Sequence, residues 1–528
     1  MSKAYERLEK VLEKTMALQT ALILFEWDNE TLAPEEAGAH TARVIGALSE
    51  EYYNMVAGDE MKEAIEACEK EEGLTDVEKA IVKEAKETRE QLVCIPAEEY
   101  RDNAQLVSEA TRVWSKAKKE NDFDKFVPTL KKVVDYQKKF ASYRAKDGVK
   151  LYDSMLDLYE KDFNMELLDK FFDELKEAIV PLIREIKERG KKIEKAFLTG
   201  DYPEAKQREL AEFLAEYVGF DFNKGVLAVS AHPFTTNLHN HDVRITTHYN
   251  DHVDSSLFSV IHEAGHGIYE LGIGDDLTQT LVGQGASMGM HESQSRFFEN
   301  IIGRNAAFWV PLYEKLQSIF PEQLKGVSRE QFVEAINKAE PGLIRTEADE
   351  LTYSLHVLIR YEIEKMIIEE DLDLKKLPEI WADKYEEYLG IRPENASEGV
   401  LQDIHWSQGS FGYFPSYALG SAFGAQLYYH MKKEMDFEGL LERGEVGVIR
   451  EYLRENVHRF GKLKTSRDSE GYDRRRFQSE VLHSVSEGKI QPLIRFIEIF
   501  SIITKKQLTN GSNKTKISKK NSYENTMN

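Results

Sequence analysis

Over residues 1 to about 225, apolar positions recur at intervals of three and four, as in Leu8, Val11, Leu12, Met16, Leu18 and Leu22. That period belongs to helices that pack one face and solvate the other. Helices are expected to break near Pro34, Gly58, Pro96, Pro128, Gly148, Pro181 and Gly200. The string LFEWDNETLAPEEAG, with Trp27, Asp28 and Pro34, reads as a structural turn among the first helices. No fixed-period repeat marks a solenoid. Between 226 and 249 the texture changes to β-branched residues, in VLAV and in the alternating DVRITTHY, which predicts a small sheet. A helix over 257 to 271 follows, with Leu257, Ile261, Ala264 and Ile268 on its core face. Asp254, Ser255 and Ser256 offer N-cap oxygens, and Gly272 or Gly274 can end it. A second helical stretch ends near Gly303; Glu292, Ser295, Arg296 and Glu299 share one face, and Phe297, Phe298, Ile301 and Ile302 cover another. Helical period resumes in LIRTEADELTYSLHVLIRYEIEKMI, which places Arg345, Asp349, Thr352 and His356 near one face. The glycine- and aromatic-rich stretch around Trp406 to Tyr417 suits a pocket wall or an ordinary buried loop. The whole pattern predicts a mostly α protein with one small β-sheet beside the helix at 257.

Length and charge narrow the function. At 528 residues the chain can bury a sizeable core, and its formal net charge of −23 argues against nucleic acid or anionic membranes as partners. Two cysteines, Cys68 and Cys94, make neither a disulfide framework nor a thiolate metal site. The charged, helix-periodic N-terminus is unlike a signal peptide, and no apolar run approaches about 18 residues. The chain reads as cytoplasmic.

Chemistry concentrates in HEAGH at 262 to 266. His262 and His266 fall about 40° apart on one helix face, so both imidazoles can bind one zinc ion. Glu263 between them can act as base toward an attacking water. Surface histidines on an amphipathic helix are the plain alternative. A catalytic zinc takes three protein ligands. Glu292, returned toward the histidines by a glycine-rich turn between Gly283 and Gly289, is the first choice for the third, with Glu299 and His291 as alternatives. His232, His239, His241 and His248 lie around the predicted sheet, where they could position substrate or form a second metal site. A sheet edge there could hold an extended peptide.

Several strings, in order, resemble the thermostable (Taq-type) zinc carboxypeptidases: AHPF at 231, DVRIT at 242, HEAGH at 262, HES at 291, LIRTEAD at 343 and LQDIHW…GYFPSY at 401 to 417. EWDNET and YDSMLDLYE are similar too; Ala33 stands where methionine is expected. The resemblance implies a large helical clamp with a deep active-site groove and a small sheet on its wall, usually a homodimer. It implies one zinc (or cobalt) ion per chain and stepwise release of amino acids from peptide C-termini with broad specificity. Its ligands would be His262, His266 and Glu292, and its catalytic carboxylate Glu263. His405 and Tyr417 would stabilise the tetrahedral intermediate, and Arg345 would anchor the terminal carboxylate. Arg244 is a second candidate anchor, unless it forms a structural ion pair with Asp242; His232 and Tyr413 are further candidate substrate contacts. The rivals are an oligopeptidase cutting internally and a silent peptide-binding scaffold, although a scaffold has no use for Glu263. Residues 1–465 read as the catalytic domain. Resemblance stops near Ser466, so 466–528 reads as an atypical tail, a shifted reading frame or an extension, disordered after about 505.

Overall fold

A computed structural model describes residues 2–463, so the expectations for the tail lie outside the described residues. Helices dominate, with one three-stranded sheet, as the hydrophobic period predicts. The first four long helices, Lys3–Thr31, Gly38–Ala57, Asp59–Cys68 and Asp76–Val93, start the chain. The apolar faces of the first, third and fourth of these (Leu8, Leu12, Met61, Ile65, Ile81) form a small core of their own, joined by Ile273, Leu277 and Val282 from the loop after the HEAGH helix. The remaining helices share a larger core that contains that helix.

Three local expectations fail for physical reasons. Pro128 and Pro181 lie inside the helices Phe123–Arg144 and Met165–Arg189 instead of ending them. An internal proline costs about 3 kcal/mol. Phe126, Leu130 and Val133 flank the first, and Ile179, Val180 and Ile183 the second, all buried. Each such side chain is worth about 1.5–3 kcal/mol, so tertiary burial outweighs the break. The turn expected at Trp27 is also helical, because Lys3–Thr31 runs through it and ends only where Leu32 and Ala33 both donate to the Asp28 carbonyl. Trp27 is buried edge-on against Phe234, which ties this helix to the sheet.

The sheet has strands β1 (Gly225–Val229), β2 (Thr235–His239) and β3 (Asp242–Thr247), in the order β1-β3-β2. β1 runs parallel to β3, and β2 antiparallel with Thr235 opposite Ile245. Alternation on β3 sends Val243 and Ile245 fully into the core, where the HEAGH helix, Val253–Leu271, packs. That helix starts four residues before the expected Leu257. Val253 is buried, and Ser256 donates to Gln207 instead of capping. The stretch after it is not one helix: Met288–Arg296 is α, and Phe297–Gly303 widens into a π turn. Similarly, Arg345 lies in a short 3-10 turn, Arg345–Glu347. The long helix Glu350–Glu369 begins afterwards, with Asp349 accepting from the Leu351 and Thr352 amides as its N-cap. Asp349 therefore serves the backbone and does not share a helix face with Arg345.

Candidate metal centre

The HEAGH helix and Met288–Arg296 approach closely because two glycines allow it. A Cβ at Gly265 would lie 2.7 Å from Ser295 Cα, and one at Gly420 would lie 2.5 Å from Glu292 Cβ. The Glu292 helix is thus clasped between the HEAGH helix and Pro415–Glu434, the helix that carries Tyr417. Beyond its N-terminus, buried Glu160 accepts from the Gly289 amide and from Ser287 Oγ, the capping residue.

This packing brings His262 Nε2 and His266 Nε2 to 3.9 and 3.7 Å from Glu292 Oε2. All three donor atoms lie within 4.8 Å of one another. Ligands about 2.0–2.1 Å from a tetrahedral zinc stand about 3.4 Å apart, so this set needs only a small contraction to close on an ion. Two imidazoles and one carboxylate are the donor chemistry that such an ion takes. No other cluster of this kind is found among the described residues.

The two alternative ligands take supporting positions. Glu299 Oε2 lies 2.8 Å from His262 Nδ1 and as a carboxylate accepts the Nδ1 proton; a second proton, on Nε2, is the one an ion would replace. Burial alone would raise the Glu299 pKa, but Arg296, His262 and Arg304 outweigh it and hold the carboxyl well below its usual range. Arg296 also donates to Glu292 Oε1 at 2.8 Å, so one guanidinium braces both acids. His291 Nδ1 lies 2.7 Å from His266 Nδ1, and its Nε2 lies 2.7 Å from Glu270 Oε1. Burial, then the neighbouring imidazoles, push the His266 pKa well below its ordinary value, which keeps it neutral, the state in which an imidazole can bind a metal. His262 moves the other way: burial opposes, but Glu299 and Glu292 raise it, and a cation at Nε2 would displace that proton. Glu263 is buried, which raises its pKa, and it accepts a 2.6 Å hydrogen bond from Thr235 Oγ1 on β2.

A second group faces this set. His405 Nε2 is 3.1 Å from Tyr417 Oη, and the Tyr413 ring packs 5.1 Å from Tyr417. Tyr417 precedes Gly420 by one turn of the helix that touches Glu292, and the Glu292 charge contributes to raising its phenol well above the usual range, after burial. Burial, with Arg345 adding to it, lowers His405 to about 3, so it is neutral near pH 7. Arg345 is buried with its guanidinium 4.8 Å from the Tyr417 ring; it donates to Asp403 Oδ1 at 2.9 Å and to Tyr353 Oη at 3.1 Å. Arg360 takes the other oxygen of Asp403. Glu364 secures the loop between His405 and Tyr413, accepting from Trp406 Nε1 and the Gly412 amide, both at 2.8 Å.

The remaining candidates lie elsewhere. Arg244 pairs with Asp242 through two 2.9 Å bonds and stands over Trp27. His241 meets Asp275, His248 meets Ser255, and the His232 side chain is exposed. These histidines do not gather into a second centre among the described residues. Sequence reasoning missed Thr235, Glu270, Asp403 and Glu364, whose roles depend on contacts far along the chain.

Comparison with known proteins identifies the family. The chain is 43% identical over 461 residues to carboxypeptidase 1 of Bacillus subtilis (strain 168), covering 87% of this chain and 92% of that one. It is 36% identical over 471 residues to thermostable carboxypeptidase 1 of Pyrococcus furiosus, covering 87% and 93%. The crystal structure of an M32 carboxypeptidase from Deinococcus radiodurans R1 superposes with a TM-score of 0.88 at 30% identity, covering 96% of this chain and all of that one. The family profile of the carboxypeptidase Taq (M32) metallopeptidases matches residues 7–470. A match of that extent leaves little besides the two ends of the chain outside it, and this chain is a member of the carboxypeptidase Taq (M32) metallopeptidase family.

Proposed function

We propose that this protein is a zinc-dependent carboxypeptidase that releases amino acids one at a time from peptide C-termini, with broad specificity. The observation that carries the reading is the convergence of His262, His266 and Glu292, with Glu263 on the same helix. When bound there, one zinc ion (or cobalt in its place) lowers the pKa of water to about 7 and polarises the scissile carbonyl. Glu263 takes the proton of the attacking water and passes it to the leaving amine. Its raised pKa favours that uptake, and Thr235 holds one of its oxygens in place. In the tautomer with its proton on Nε2, a neutral His405 would donate to Tyr417 and leave the phenol O–H free for the developing oxyanion, where one donor is typically worth about 3 kcal/mol. His232 and Tyr413 are proposed to contact the peptide. A homodimer in the cytoplasm is the state the family resemblance suggests, checked by sedimentation and fractionation.

The terminal carboxylate needs a cation, because burying it unpaired costs several kcal/mol. Arg345 is the first candidate and would share its charge between the substrate and Asp403; Arg244 is the second and would share it with Asp242. That both arginines already hold a carboxylate is what favours the second reading, an oligopeptidase that ignores the C-terminus. One peptide supplied as the free acid and as the C-terminal amide separates them. The carboxypeptidase reading expects stepwise release from the acid and failure on the amide; internal cleavage of both at comparable rates selects the oligopeptidase. Arg345→Ala should slow the free acid about 30- to 1000-fold, equivalent to roughly 2–4 kcal/mol. An equal loss on an internally cleaved reporter would instead make Arg345 a support for Tyr417.

A further inference from the structure

We infer that His291 and Glu270 form a hydrogen-bond relay that sets the tautomer of His266, and with it the affinity of the metal centre. This rests on the metal reading above and assigns a positioning role to two residues outside the ligand set. Glu270 is 3% exposed, and its carboxylate accepts from the Gly285 amide at 2.9 Å and from Asn237 Nδ2. An ionised carboxylate only accepts. His291 Nε2, 2.7 Å from Glu270 Oε1, must therefore be the N–H of that contact. In the neutral ring its Nδ1 then carries the lone pair. His266 Nδ1, 2.7 Å away, must in turn be the donor. The last consequence is that His266 Nε2 has no proton and points its lone pair toward Glu292 Oε2, 3.7 Å distant.

The Nδ1 atoms of the two candidate metal histidines are thus held by different routes. His262 donates directly to the Glu299 carboxylate, whereas His266 depends on a second imidazole whose polarity is imposed from β2 and the Gly283–Gly289 turn. Gly285 makes that approach possible, since a Cβ there would lie 2.5 Å from His291 Cδ2. Replacing His291 removes an acceptor that a buried Nδ1–H requires; the alternative tautomer then puts a proton on Nε2, where it competes with the ion.

Two measurements test this on the full chain. Histidine-selective 15N NMR of the metal-free wild type should show His266 as a single Nδ1–H tautomer; a mixture, or the Nε2–H form, would overturn the relay without any variant. Zinc affinity, read by chelator competition, should fall about 10- to 100-fold in His291→Phe, the range for an outer partner of a ligand. His291→Asn places an amide oxygen near the former Nδ1 and should recover most of that loss. Unchanged affinity in His291→Phe, or equal weakness in both variants with the His266 tautomer intact, would overturn it. If the wild type binds no zinc while His266 is the Nδ1–H tautomer, the metal reading fails and the relay stands.

Discussion

Glu263 and Glu292 are both buried carboxylates, and their neighbours divide the work between them. Arg296 pairs with Glu292 and would brace it as the proposed ligand, whereas Glu263 has a neutral hydroxyl, Thr235, as its hydrogen-bond partner. A base needs that difference: a guanidinium against Glu263 would hold its proton affinity down. Glu263→Gln should therefore retain zinc and lose about 100- to 10,000-fold in kcat, the range for a positioned general base. Thr235→Val should lower kcat about tenfold, from one lost hydrogen bond to a charged group, with KM and zinc content unchanged. Thr235→Ser should restore it. A matching rise in KM, or metal loss in Thr235→Val, would assign the threonine to packing.

At the scale of elements, the helix Met288–Arg296 is placed by its neighbours more than by its own nine residues. Gly265 and Gly420 let two helix backbones close on it, and Glu160 holds its first turn. Gly420→Ala should force Glu292 away and reduce zinc affinity at least tenfold while helix content by circular dichroism stays unchanged. Retained affinity would show that the neighbouring helices yield instead. Glu364→Gln turns an acceptor of several donors into a side chain with one N–H face, so the loop holding His405 should loosen. Turnover should drop about 10- to 100-fold with metal intact. How much of this was legible beforehand depends on range in the sequence. HEAGH, β1 and β3 carry their periods locally, and the approach of Glu292 to the two histidines is expected from the glycine-rich turn between their helices. β2 does not announce itself: TTNLH has a single apolar residue, Leu238, is half-buried along its length, and is a strand only because β3 pairs with it. Asp349 as a cap was readable from the residues after it, yet the apolar period around it suggested one continuous helix. Asp403 with Arg345, and Glu270 with His291, are meetings across the fold that spacing cannot reveal.

At the scale of the molecule, two cores meet at the connection between the ligand helices. Ile273, Leu277 and Val282 follow the HEAGH helix and dock into the small core of the first helices, while the HEAGH helix and Met288–Arg296 belong to the large one. The route from His266 to Glu292 thus passes through the N-terminal helices' packing. Leu277→Ala, which empties a buried site worth about 2–5 kcal/mol, should lower both thermal stability and zinc affinity. Leu8→Ala, in the same core but away from the connection, should lower stability with less effect on zinc. Equal effects on affinity would deny that the connection transmits the strain.

His262, His266 and Glu292 are proposed to hold one metal ion while Glu299 only orients His262. Zinc stoichiometry by elemental analysis after exhaustive dialysis, on the wild type and on Glu292→Gln and Glu299→Gln, tests it directly. One zinc per chain is expected in the wild type, with near-complete loss in Glu292→Gln and retention in Glu299→Gln at an affinity about 10- to 100-fold weaker. Full occupancy in Glu292→Gln with loss in Glu299→Gln would contradict it and make Glu299 the third ligand.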